Sequence, residues 1–483
     1  MHMKKKVIII GAGVGGLAAA ARCASKGFAV DVFEKLPRCG GRNNIIEDRG
    51  FKFDTGPSFV LMPDFFEEVF GYCNRRLSDY LDLKVLDTSY RIFYPDGETL
   101  TVYADSNKTK EELERIEKGA SVGFDDFINE TSRLYQELKP FLYRCFSSAA
   151  LFDWRYWPLL KKLRIGESYW QLASRFFKTE KLRFAFTFEA MFMGVSPYQA
   201  PGFYSIISYA DHVQKIRHPM GGMYEIPLAL ERMAKEFGAT FHYSEEVAHI
   251  HRNGGLAVKT GRETYQADYL VVNADYPYAQ TDLLRRRIPA YTYSCSVYLL
   301  YWGLKKNVTG LAHHNLFFSR DMKKNLSQIF HDKVVPDDPS FYIHVPTVTD
   351  PSLAWPGRDI LYVLIPVPNL QGATDDFRGH EERLKSIVLD KIKKVTGQNI
   401  EESIEAEHKF YPQDFIDRYN IKYGATFGLA HNLMQSAFFR PANVDRRIKN
   451  LFFAGASTQP GGGLPVVIAS SRIVADLIQQ ARG

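Results

Sequence analysis

Cysteine is scarce in this chain. Five occur (Cys23, Cys39, Cys73, Cys145, Cys295), scattered, odd in number and without any C-x-x-C. That excludes a disulfide framework, gives no zinc-ribbon spacing and fits a reducing compartment. No stretch reaches the ~18–20 apolar residues of a membrane span. The apolar run 7–24 follows three lysines, but its four internal glycines make it a strand–turn–helix unit, not a secretory leader. Met1-His2-Met3 reads as a cloning remnant, with the natural start at Met3. Low-complexity tracts, short-period repeats, nucleic-acid modules and a G-x-S-x-G nucleophile elbow are missing as well. Neither sign of charge dominates: +6 over 483 residues leans mildly toward an anionic membrane surface and says little about nucleic acid.

What is there is a folded, aromatic-rich chain. Its 483 residues are too many for one core, so two or three domains are expected. A hydrophobic share of 45% and a charged share of 24% are ordinary. The 35 Phe and 27 Tyr suit a large apolar pocket or surface, as well as core.

The most informative stretch is VIIIGAGVGG (7–16). Gly11, Gly13 and Gly16 follow a β-branched run directly and open the helix-like LAAAARCASKG. Glu34 closes the next apolar run, AVDVFE. Gly11 makes the tight turn, Gly13 lets backbone approach a pyrophosphate, and Gly16 lets helix and strand pack closely. The helix N-terminus offers free N–H groups to the pyrophosphate, and Glu34 can accept from a ribose hydroxyl. This is a dinucleotide site; the fingerprint alone serves NAD or FAD.

Further along, residues 59–160 read as mostly helical, with charged KEELERIEKG (110–119) and amphipathic 124–145. FLYRCFSSAALFDWRYWPLLKKLR (141–164) mixes aromatics with Arg and Lys. It reads either as a core helix pair with cationic ends or as an interfacial helix at a membrane or lipid-site mouth. Residues 239–275 are β-rich and end in Asn273-Ala274-Asp275. A second β-rich block runs through 291–304, 341–348 and 359–368, followed by a charged helix at 378–396. Residues 448–480 repeat the opening logic: a strand, the Gly461–Gly463 turn, and a helix.

After Glu34 come Arg38-Cys39-Gly40-Gly41-Arg42 and GFKFDTGPS (50–58). Fingerprint, R-x-G-G-R and F-D-x-G-P-S together resemble the FAD-dependent amine oxidase and phytoene desaturase superfamily. LFFAGASTQPGGGLPVVIASSRIVAD (451–476) looks like the closing FAD motif of bacterial carotenoid desaturases. HPMGGMYEIPLAL, YSCSVYLLYWGL, HVPTVTDPSLA, FYPQDF, YGATFGL and QSAFFRPAN also resemble the phytoene and diapophytoene desaturase branch. The resemblance covers nearly the whole chain. In two places the chain departs from it: Gln459 replaces a His common before Pro-Gly, and Trp355 replaces a common Pro.

The resemblance implies an α/β protein. Its Rossmann-like FAD-binding domain would carry an inserted mixed β-sheet substrate domain and a helical, membrane-associating subdomain. The FAD-binding parts are expected at 3–75, 216–280 and 436–483, the helical subdomain at 76–215 and the substrate sheet at 281–435. Cofactor residues would be Gly11, Gly13, Val14, Gly16, Glu34, Lys35, Gly40, Gly41, Arg42, Gly56, Pro57, Ser58, Val247, Gly455, Gly463, Pro465 and Val466. The helix starting near Pro465 would aim its N–H groups at the isoalloxazine.

The implied function is desaturation of a linear isoprenoid by hydride transfer to FAD, with positioning in an apolar tunnel doing much of the work. Partners would be an apolar polyene, the inner-membrane surface on the cytoplasmic side, and O₂ or a quinone as electron acceptor; nucleic acid is not expected. Alternatives are a carotenoid oxidase, isomerase or saturase, and a non-redox prenyl-lipid binder like the GDP-dissociation inhibitors and Rab escort proteins. Asp153 and Arg155 lie where the family has a basic residue proposed as catalytic; a surface ion pair is the competing reading. His313, His314 and Tyr301 fall in family-like segments. No carboxylate–histidine spacing points to a metal, and none is expected.

Overall fold

A computed structural model describes residues 4–147, 153–252, 255–373 and 377–482. Met1-His2-Met3 lies outside them. Two sheets frame the molecule. The first has five parallel strands in the order Leu451–Phe453, Tyr269–Val272, Lys6–Ile10, Ala29–Phe33, Thr240–His242. Its strands come from the beginning, middle and end of the chain, so the opening βα unit is completed by segments hundreds of residues away. The central strand is VIII at 7–10, buried on both faces, as a continuous apolar run in a covered parallel sheet should be. Helices Val14–Ser25, Glu225–Glu236 and Leu464–Arg482 share one apolar core on one face. A three-stranded antiparallel sheet, Val247–His251, Leu256–Thr260 and Thr264–Ala267, covers the other. Ala18–Ala21 are fully buried, and their small side chains bring the first helix close to its neighbours.

The second sheet has seven strands in the order Ile404–Phe410, Ser296–Leu304, Asp359–Val367, Phe341–His344, His314–Phe317, Thr88–Phe93, Thr99–Tyr103. Pairing is antiparallel except between 314–317 and 88–93. Side chains alternate across the sheet, as the two-residue strand period requires. Tyr298, Leu300 and Trp302 pack toward the core under helix Glu381–Thr396. Val297, Leu299 and Tyr301 face the opposite way, into a large cavity.

Residues 59–160 are mostly helical, as the pattern predicts, but TSYRIFYPDGETLTVY folds as a hairpin on the edge of the second sheet. Its signal was local, a Pro-Asp-Gly turn between β-branched and aromatic runs. Residues 141–164 do not form one helix. Among the described residues they give short 3₁₀ turns at Lys139–Phe141 and Trp154–Tyr156 and a helix at Trp157–Lys162, with Pro158 in its first turn where a missing N–H costs nothing. Residues 148–152 lie outside the described set. Helices Ser106–Ile116, Ala120–Leu138, Tyr169–Ala173, Glu180–Ala185 and Ile206–His212 pack in one apolar core with the cavity-side face of the second sheet, and Ile206 and Ile207 reach the cavity itself.

Candidate active site

Strand Lys6–Ile10 delivers the chain into the turn Gly11–Gly13, and Gly13 caps the first helix without a capping side chain. The first-turn amides are therefore left to a ligand. A Cβ on Gly16 would stand 2.1 Å from the Gly11 carbonyl oxygen, so only glycine lets the helix seat here. Gly40 donates its N–H to the Ala12 carbonyl, which lays the second glycine pair beside the first turn. A Cβ on Gly56 would meet the Arg42 carbonyl oxygen at 2.0 Å. Backbone thus crosses backbone at closest approach in two places, leaving a groove walled by main chain, as a pyrophosphate requires.

Glu34 ends the second strand of this unit and is buried. Its Oε2 accepts from Ala12 N at 2.8 Å and its Oε1 from Leu36 N at 2.9 Å. Burial raises its pKa above the ordinary carboxylate value, and those amides oppose the shift. Each oxygen keeps a lone pair for a further donor. Arg42 donates to the Thr426 carbonyl at 2.6 Å; burial lowers its pKa, and Asp275 opposes that. The Asp54 carboxylate accepts from Met223 N (2.8 Å) and Tyr224 N (3.0 Å), binding the D-T-G-P-S turn to the M-G-G-M turn. Burial pushes its pKa to about 6.

One cavity of roughly 520 Å³ joins these parts. Of the expected cofactor residues, Gly11, Gly13, Val14, Glu34, Lys35, Gly40, Gly41, Arg42, Gly56, Pro57, Ser58, Val247, Gly455, Gly463, Pro465 and Val466 line it. Gly16 instead lies beneath the turn. The closing helix begins at Leu464, so its N-terminal end opens on the cavity. Beyond the glycine-walled end the wall turns apolar, with Phe59, Phe192, Ile207, Leu316, Met322 and Leu364. Polar atoms in that part are few. Tyr342 OH donates to Ser58 Oγ at 2.7 Å, and Tyr362 OH donates to Gly56 O at 3.2 Å. Tyr301 is buried, has no hydrogen-bond partner at its hydroxyl and stacks on Tyr362.

Asp153 and Arg155 are not brought to this cavity. They pair with each other at the start of the 3₁₀ turn, with Arg155 largely exposed. His314 contacts Tyr342 OH at 2.7 Å behind the wall.

Sequence reasoning missed several residues that build the site. His431 lines the cavity, accepts from Gly462 N at 2.9 Å through Nε2 and approaches the Met193 carbonyl at 3.2 Å through Nδ1. With Nε2 accepting, Nδ1 carries the proton; burial holds the ring neutral, well below its usual pKa. Asn273 donates to Gly11 O at 3.2 Å and packs under Gly13, Gly15 and Gly16. The fully buried Arg440 guanidinium donates to the carbonyls of Thr458, Ala430, Gln435, Leu429 and Ala456. Only Asn273 carried a signal, its place at a strand end facing the fingerprint. Gln459, noted for departing from the family, does not line the cavity. Its buried carboxamide binds backbone at Phe146, Ala437 and Arg440.

The model of the flavin containing amine oxidoreductase family matches residues 14–479. A zeta-carotene-forming phytoene desaturase of Myxococcus xanthus is 40% identical over 98% of this chain and 93% of that protein. A 4,4'-diapophytoene desaturase (4,4'-diaponeurosporene-forming) of Staphylococcus haemolyticus is 34% identical over 97% of this chain and 98% of that protein. Among solved structures, an oxidoreductase from Methanosarcina mazei superposes with a TM-score of 0.65 at 17% identity, covering 98% of this chain and 100% of that one. A putrescine oxidase bound to putrescine gives 0.63 at 16% identity, covering 99% of each chain. Both share the fold.

Proposed function

The chain belongs to the flavin containing amine oxidoreductase family, and from that premise we propose that it is an FAD-dependent desaturase of a linear, phytoene- or diapophytoene-like isoprenoid. The observation that carries this reading is one continuous cavity, which runs from a glycine-walled groove into an aromatic and aliphatic pocket. The relatives named phytoene and diapophytoene desaturases support the substrate class.

FAD, when bound, supplies the hydride acceptor. The chain's own residues hold and orient. The free amides after Gly13 and the Gly40–Gly41 backbone would face the pyrophosphate, with Arg42 adding a fixed charge. Glu34 would accept from the adenosine ribose, and Val247, at the start of its strand, would meet the adenine. His431 fixes the Gly461–Gly463 turn ahead of the closing helix. The apolar wall excludes water and aligns a hydrocarbon that has no group to polarise, so orientation supplies much of the catalysis.

Gln459, where the chain departs from the desaturase pattern, gives no support to an oxidase or isomerase reading. Its carboxamide is consumed by backbone contacts, and no other observation favours that reading. A non-redox prenyl-lipid binder would leave the glycine groove unused.

We also place the enzyme at the cytoplasmic face of the inner membrane. Trp154 and Trp157 are 74% and 61% exposed, beside Arg155, Lys161, Lys162 and Arg164. No helix among the described residues is long and apolar enough to cross a membrane. Electrons would leave to O₂ or a membrane quinone. Expression in phytoene- and diapophytoene-producing hosts, with pigments read by conjugation length, tests the function. Longer chromophores without added oxygen are expected; an oxygenated product as the first product, or a purified protein that rejects FAD, overturns it.

A further inference from the structure

Behind the cavity wall lie three histidines from three separate segments. His218 is in the strand Arg217–Pro219, His313 precedes the strand His314–Phe317, and His344 ends the strand Phe341–His344. All are buried, and each offers a ring nitrogen within 4.8 Å of the others. No sequence spacing links them, since they are far apart in the chain.

Hydrogen bonding among protein groups leaves this cluster incomplete. His218 is 0% exposed; Asp350 Oδ2 lies 3.6 Å from its Nε2, and its Nδ1 has no hydrogen-bond partner. A buried imidazole nitrogen left unpaired is destabilising. His313 and His344 point Nε2 at Nε2, 2.9 Å apart. A single proton can serve that contact, but nothing then serves His218 Nδ1.

The surroundings match the outer layer of a metal centre. The His313 Nδ1 lies 2.7 Å from Thr349 Oγ1, which leaves Nε2 as its free donor. The Asp350 carboxylate lies 3.6 Å from His218 Nε2, which leaves Nδ1 free. Asp350 is itself fixed by Gly221 N, Ser352 N and Ser352 Oγ. Histidine ligands are typically oriented in this way, with the second ring nitrogen given to a carboxylate or another acceptor.

We propose that His218, His313 and His344 form a three-nitrogen site for a divalent ion of the zinc class, with Thr349 and Asp350 orienting two of the ligands. All-imidazole donors suit zinc and its neighbours and disfavour magnesium or calcium. Zn–N bonds of about 2.05 Å in tetrahedral array put ligand nitrogens about 3.3 Å apart. The His313–His344 contact therefore opens by a few tenths of an ångström on loading. The fourth position is left to water.

The site is a cross-link. It ties the strand carrying His218, which bridges to Val60 next to the D-T-G-P-S turn, to the second sheet. His314, adjacent to a ligand, holds Tyr342, and Tyr342 holds Ser58 in the cavity wall. The ion would thereby pin the wall where groove and apolar pocket meet. It does not depend on which hydrocarbon the enzyme takes.

Untagged holoprotein, passed over a desalting column, is assayed for metal by plasma mass spectrometry. Chelator-treated protein is then titrated with Co(II), followed by its visible bands, and with Zn(II), followed by melting temperature. About one zinc-class ion per chain is expected, or uptake of one Co(II) with four-coordinate bands and a Zn(II)-induced rise of about 2 °C or more. His218→Phe and His344→Phe, judged folded by their flavin absorbance, should lose the ion. Wild-type protein that carries no metal and responds to neither ion overturns the proposal, as does an ion that persists in both variants. If neither variant folds, the wild-type titrations decide alone.

Discussion

Gln459 grips Phe146 at both backbone groups across 313 residues: Phe146 N donates to Oε1 at 2.7 Å, and Nε2 donates to the Phe146 carbonyl at 3.1 Å. The same Nε2 lies against the Ala437 and Arg440 carbonyls. One carboxamide thus staples the segment leading to Trp154 onto the closing motif. Gln459→Leu leaves buried donors and acceptors unpaired, so a loss of about 1–3 kcal/mol is expected. Gln459→Glu should lose more, because it turns a carboxylate onto three carbonyl oxygens. Thermal melts of the FAD-loaded proteins check the order; a glutamate variant as stable as wild type would show that the staple is not formed.

Glu34 yields a pH-dependent prediction. Its pKa is raised by burial, so it begins to protonate above the ordinary carboxylate range. Protonation removes acceptor capacity from a group already receiving Ala12 N and Leu36 N. FAD affinity should therefore fall as pH drops through mildly acidic values. Glu34→Gln, which presents an amide where two N–H donors converge, should bind FAD more weakly by about tenfold or more and lose that dependence. Fluorescence titration of apoprotein with FAD between pH 5 and 8 measures both effects; an unchanged slope in the variant would remove Glu34 from the cofactor site.

The exposed Trp154 and Trp157 give a membrane test that leaves the flavin alone. Trp154→Ala with Trp157→Ala should cut sedimentation with anionic liposomes several-fold, at unchanged FAD content. Adding Lys161→Gln and Lys162→Gln should weaken what remains, mainly at low salt, because surface charges are screened within a Debye length of about 10 Å at 0.1 M. Binding that survives all four changes would place the contact elsewhere.

What was legible in the sequence was local. The turn Gly11–Gly16, the acid at the end of the next strand and the Gly461–Gly463 turn each declare themselves within a few dozen residues, because tight turns and close backbone crossings demand glycine. The hairpin at 88–103 was equally local and was overlooked in a stretch dominated by helical periodicity. His431, Arg440, Gln459 and the three histidines were not legible. Each acts on partners supplied by another segment: Gly462 for His431, Phe146 for Gln459, and Asp350 for His218. Contacts of this kind between distant segments leave no period and no motif, so only the fold reveals them.

The last prediction concerns a buried carboxylate pair beside the cavity. Glu189 and Asp211 are 1% and 0% exposed, and with His212 their ligand atoms lie within 4.8 Å of one another. Tyr169 and Ser208 hydroxyls donate to Glu189 Oε2. Tyr90 adds a nearby phenol, and His212 is held neutral by burial. Burial raises both acids, Glu189 to about 7. The folded state therefore binds more protons than the unfolded chain between the ordinary carboxyl value of 4.5 and about 7. Stability falls with rising pH wherever the folded state holds the extra proton, so this contribution is complete below 4.5 and is lost as pH climbs through 7. Glu189→Gln cannot titrate and keeps an acceptor for Tyr169. Its stability relative to wild type should improve across that window by up to about 1.4 kcal/mol per pH unit. Melting temperatures of both proteins from pH 4.5 to 8 give the comparison, and a difference that stays flat with pH would mean that Glu189 is ionised in the fold throughout.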